Sequence, residues 1–131
     1  MALLVPMSWG ELIDKITILE IKDARIADPG KRVNVLRELE ALRKARDSQP
    51  MPAQGAAGTL AGLTVELRAA NEALWELEDA VRDCESNGEF SQRFVSLARS
   101  VYLTNDKRAG LKRRINELLG SELVEEKSYK R

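Results

Sequence analysis

The chain reads as all-α, two antiparallel helical hairpins forming an elongated bundle, and three observations predict this. Apolar residues recur at three- and four-residue spacing over long stretches, and no alternating strand pattern interrupts them. Helix breakers and cap formers stand where those stretches end. The connections inside each half of the chain are short, which makes the helices they join antiparallel neighbours.

The first helix is expected over about 9–27. Ser8-Trp9-Gly10-Glu11 has the pattern of a capping box, with Met7 and Leu12 placed as a hydrophobic staple. Asp28-Pro29-Gly30 ends this helix and opens a second over about 31–47, with Asp28 as cap and Pro29 in the first turn. Ser48 to Gly58 contains two prolines, two glycines and no charge, and reads as a surface loop. The third helix is expected over about 60–86, closed by Asn87-Gly88. The fourth runs over about 90–119 and stops at Gly120. Thr104-Asn105-Asp106 all favour caps, yet the apolar repeat keeps its phase across them, so one continuous helix is expected. A tail, 121–131, follows. At 1.5 Å per residue the last two helices are roughly 40 Å long and the first two near 28 Å. A long hairpin beside a short one leaves apolar surface, and a homodimer with coiled-coil-like packing is the expected remedy.

Composition narrows the function classes. The 131 residues are 44% apolar and 32% charged, enough for one helical domain with a core. Lys+Arg and Asp+Glu both number 21, so no net field favours nucleic acid or anionic lipid. The basic run Lys107 to Arg114 spreads its charges around the helix and reads as a solvated face. With no His the usual general base, metal ligand and pH switch are missing. A lone Cys84 permits neither an internal disulfide nor a thiolate metal cluster. No stretch reaches membrane-spanning length and no signal peptide is visible. A cytoplasmic protein without metal or cofactor is expected; no residue set names a reaction, so catalytic residues stay unknown and an enzymatic role stays open.

The pointed feature is polar residues inside apolar stripes: Glu20 and Asp23 on the first helix, Asn71 and Glu78 on the third, Asn105, Arg108 and Lys112 on the fourth. Burying such groups is costly unless they pair. They form either a layer that fixes helix register, as a polar core position does in coiled coils, or the lining of a ligand cleft. Folding at Asn87-Gly88 sets Asn71 level with Asn105, so these two are expected to meet. Arg108 is expected to reach Glu20 or Asp23, and Glu78 to need another partner, the Tyr102 hydroxyl. Lys15 and Lys22 flank the main face of the first helix and, with Arg108 and Lys112, are candidate contacts for a small anion. Ile18 and Ile21 point away from that face and are candidates for a subunit interface.

Four strings, Gly10 to Lys22 (GELIDKITILEIK), Asn71 to Asp79 (NEALWELED), Val101 to Asn116 (VYLTNDKRAGLKRRIN) and Glu125 to Tyr129 (EEKSY), together resemble DUF6165, a family of small bacterial helical proteins of unknown function. The resemblance implies a helical fold and no particular chemistry. The expected function is a helical protein–protein interaction or scaffold module, to which the tail could contribute. The alternative is a protein or enzyme that binds an anionic metabolite at a polar site inside the bundle.

Overall fold

The computed structural model describes residues 1–50 and 55–128, so the middle of the expected 48–58 loop and the end of the tail, Tyr129 included, lie outside the described residues. It contains four helices, α1 (Trp9–Arg25), α2 (Pro29–Asp47), α3 (Ala56–Ser86) and α4 (Gln92–Leu119), and no strand among the described residues. No helix there is long and apolar enough to cross a membrane.

Local chemistry sets the helix ends. Ser8 caps α1, its Oγ accepting from the Glu11 N–H at 3.1 Å. The reciprocal half of the expected capping box is missing, because the Glu11 carboxylate is taken by Lys112 on α4. Helix α1 stops at Arg25, two residues short of expectation, with Ile26 already extended. Asp28 accepts from the Gly30 N–H at 3.3 Å and Pro29 opens α2, as their types dictate. Helix α3 starts at Ala56, earlier than expected, behind Gly55 in the left-handed region. Helix α4 is unbroken through Thr104-Asn105-Asp106. Gly120 closes it at φ 62°, a conformation that costs glycine least.

Helix α1 is the hub. It touches the other three helices, α3 and α4 pack along each other, and α2 packs on α1 alone. One apolar cluster joins Ile13 of α1 to Leu63 and Leu67 of α3 and to Leu111 and Ile115 of α4. A second joins Ile16 and Leu19 of α1 to Val35 and Leu39 of α2. This corrects the expectation for Ile18 and Ile21. Helix α1 is covered on both sides, so the side expected to be free is interior: Ile21 is only 2% exposed and Ile18 is half-buried.

The core is unevenly placed along the long pair. Its buried residues lie between Ala56 and Leu74 on α3, apart from Cys84, and between Leu111 and Leu119 on α4. Beyond Trp75 the two helices continue as a two-helix arm. There Leu77, Val81, Phe94, Leu97 and Val101 are only half-buried.

Candidate functional site

The polar layer exists, and its centre is Asp14. This carboxylate is fully buried. Arg108 clasps it with two bonds, Nε to Oδ1 at 3.0 Å and Nη2 to Oδ2 at 2.5 Å. Asn71 donates from Nδ2 to Asp14 Oδ1 and to Thr17 Oγ1, each at 2.9 Å. Thr17 in turn donates to the Asp14 carbonyl oxygen at 2.7 Å. Lys112 stands 3.8 Å from Asp14 Oδ2 and binds Glu11 at 2.8 Å and Glu125 at 2.9 Å. One carboxylate of α1 thus gathers one amide of α3 and two cations of α4. Among the described residues no buried side-chain nitrogen or oxygen lacks a partner.

Close helix contact makes the layer reachable. A Cβ on Gly10 would lie 2.4 Å from the Lys112 carbonyl oxygen, so only glycine lets α1 sit this near α4. The free N–H groups that open α1 are used in the same contact. Gly10 donates to Asn116 Oδ1 at 2.6 Å and Trp9 to Ser121 Oγ at 3.3 Å.

The charges reflect the pairing. The hydrogen bond to Asp14 raises the Arg108 guanidinium above its ordinary value, against the pull of burial. Burial disfavours the Lys112 ammonium, but hydrogen bonds to Glu11 and Glu125 more than offset it and raise its pKa. The same Lys112 bond lowers Glu125. Glu125 and Glu126, the latter paired with Arg113, strap the residues after Gly120 back onto α4.

The candidates named from sequence divide. Asn71, Arg108 and Lys112 belong to the layer, but Arg108 meets Asp14, not Glu20 or Asp23. Asp23 faces α2, and Glu20 stands between α2 and α3. Glu20 pairs with Arg43 at 2.8 Å and lies 3.8 Å from Arg68, and Asp23 pairs with Arg32 at 3.0 Å. The reason is rotational. Leu12, Ile16 and Leu19 of α1 and Ile26 just after it pack with α2, and Glu20 and Asp23 lie on their side of the helix, while Asp14 and Thr17 meet Asn71 of α3, Asp14 meets Arg108 of α4, and Gly10 meets Lys112 of α4. Gly10, Asp14, Thr17 and Ile21 recur at i, i+4, i+7, i+11, so a glycine, a threonine and an isoleucine share one side of the helix with a single carboxylate, and that spacing was the signal for Asp14. Asn105 does not bond Asn71, whose amide is taken by Asp14 and Thr17. Glu78 and Tyr102 are exposed, so Glu78 needs no buried partner. Lys15 and Lys22 are half-buried on α1 and take no part in the layer.

Beside the layer lies an open cleft of about 440 Å³. Ile18 of α1 forms one wall, Asn105 and Arg108 of α4 another, and Trp75, Glu78 and Asp79 of α3 the third. It lies beside the C-terminal half of α1. Arg25, at the end of α1, pairs with Glu76 and holds its guanidinium 5.7 Å from the centre of the Trp75 ring. The cleft therefore offers an aromatic ring, an aliphatic side chain and exposed carboxylates, and the Arg108 guanidinium in its wall is already clasped by Asp14.

No curated protein and no solved structure matches the chain. A family model described as a family of unknown function, DUF6165, matches residues 3–131, and the chain belongs to that family.

Proposed function

We propose that this chain is a helical protein–protein interaction module, one domain of two antiparallel hairpins, and that its working surface is the arm of α3 and α4 beyond Trp75. One observation carries the reading: the helix pair outruns α1. On α4 the residues facing α1 recur as Lys112, Arg108, Asn105, Val101, Ala98 and Phe94, a single stripe. Helix α1 covers its upper part and stops at Arg25. The lower part, Phe94 to Val101, is apolar and has no third helix over it. Phe90, Val95 and Tyr102 are exposed around it. Apolar patches of this kind, rimmed by charge, are characteristic of interaction sites.

The anion-binding alternative has less support. Arg108 and Lys112, the cations it needs, are already held by Asp14, Glu11 and Glu125. The layer is better explained as a lock on helix register.

The test places a photo-reactive side chain at Ala98 in the full chain inside cells. An adduct of defined mass, identified by peptide sequencing and abolished by Val101→Glu with helicity unchanged, supports the reading. No adduct, or one indifferent to Val101→Glu, overturns it. A thermal-shift screen of anionic metabolites is expected to show no stabilisation; a hit lost in Arg108→Met would restore the alternative.

A further inference from the structure

We infer that the arm pairs with the arm of a second copy of this chain, antiparallel about a two-fold axis, closing a four-helix bundle in the space that α1 leaves open. This rests on the reading of the arm as an interaction surface and names its occupant.

Charge on α3 points to a self-complementary fit. The stripe of α3 that faces α1 runs Asn71, Trp75, Glu78, Arg82, Glu85. Glu78 and Arg82 are exposed, stand one turn apart and have no ion-pair partner among the described residues. A two-fold axis crossing α3 at Ala80 sets Glu78 against Arg82 of the partner subunit and Arg82 against the partner's Glu78. Two reciprocal pairs follow from one symmetry operation.

The apolar stripe of α4 has the same centre. Arg93 Nη1 lies 3.1 Å from Cys84 Sγ, and Asn71 and Asn105 line one cleft. These two pairings put Ala80 level with about Ser96 and Leu97. The apolar stretch Phe94, Ala98, Val101 is centred at that same height. One axis therefore satisfies the charges of α3 and joins the apolar stretches of α4 in both copies. A parallel arrangement does neither, since it opposes the two α1 helices and holds the arms apart.

The arm also has the length for this. From Trp75 to Ser86 it extends about 18 Å at 1.5 Å per residue, and two helices of roughly 10 Å give a footprint on the order of 400 Å² per copy. Stable interfaces cover about 800 Å² per partner, so the dimer is weak and concentration-dependent. At each end the tip of one arm reaches the end of the partner's α1, beside the cleft at Trp75.

Sedimentation equilibrium of the full chain, from micromolar to high micromolar concentration, tests the inference. The expected mass rises from 14.7 kDa to about twice that. Glu78→Arg and Arg82→Glu each place like charges in both pairs and are expected to weaken the dimer about tenfold. Mixing the two variants restores association as a heterodimer, because Arg at 78 then meets Glu at 82, and the native pair is rebuilt on the other side. Both positions are exposed, so unchanged helicity confirms the fold in each variant. A mass that stays at 14.7 kDa throughout, a dimer indifferent to the reversals, or a mixture no tighter than its parts overturns self-pairing. If the Ala98 adduct then contains a different protein, the interaction reading stands and only the occupant is wrong; with no adduct, both fall.

Discussion

Asp14 shows how one side chain can fix three helices. Its carboxylate is buried beneath Arg108, Asn71 and Lys112, so removing its charge leaves the Arg108 guanidinium without its ion-pair partner and loosens Asn71, while Lys112 keeps Glu11 and Glu125. Breaking a buried pair from one side costs about 3–5 kcal/mol. Asp14→Asn is expected to lower the melting temperature by roughly 10 °C or more. The double variant Asp14→Leu/Arg108→Met is expected to lose less than the two single changes summed, which calorimetry on all three would check. Gly10 gives a contrast in sign. Gly10→Ala drives a methyl into the Lys112 carbonyl and should cost about 1–3 kcal/mol. Gly62→Ala and Gly110→Ala, inside α3 and α4 with nothing within 4 Å of the added carbon, should stabilise by about 0.5–1 kcal/mol. Urea titration of the three variants measures both signs together.

Individual elements depend on the layer unequally. Helix α2 rests on α1 alone, through Val35 and Leu39. Leu39→Ala is expected to cost about 2–4 kcal/mol, and α2 amides should exchange hydrogen faster than those of α1 in the native protein. The same exchange measurement should find the arm beyond Trp75 less protected than the Leu111–Leu119 segment. The C-terminal strap adds a pH dependence. Glu125 has its pKa lowered by Lys112, so its contribution is present above its ordinary value of 4.5 and is lost as pH falls through the lower folded value. Lys112 has its pKa raised, so its contribution is complete below 10.5 and is lost only as pH rises through the still higher folded value. Glu125 is partly exposed, so the acid effect is on the order of 1 kcal/mol or less. In a Trp75→Phe variant, Trp9 fluorescence should report release of the strap below about pH 4.5 and keep reporting it as docked at pH 9. Glu125→Gln should remove the acid transition.

For the molecule as a whole, the overhang of α3 and α4 beyond α1 is the largest asymmetry, and the predicted assembly follows from it. The unequal helix lengths were legible in the sequence. The surface was not. Ile18 and Ile21 looked free because the sequence does not say that α1 lies between α2 and the long pair. The helix ends came through within a few residues because Ser8, Asp28-Pro29, Gly88 and Gly120 act on backbone groups one turn away. Asn71, Arg108 and Lys112 were recognisable as buried polar groups because each interrupts its own helix's apolar stripe. Their shared partner was hidden. Asp14 follows directly after Ile13 and stands on the narrower of two inward faces, while Glu20 and Asp23 occupy the broader one. Caps and periodicity, which are properties of neighbouring residues, were enough to place four helices to within a few residues and to pick out polar positions inside their apolar stripes. Which side of α1 meets which helix, which carboxylate anchors Arg108 and where α1 stops along α4 came from the packed molecule, because they depend on helix rotation and through-space contacts that no short stretch of chain encodes.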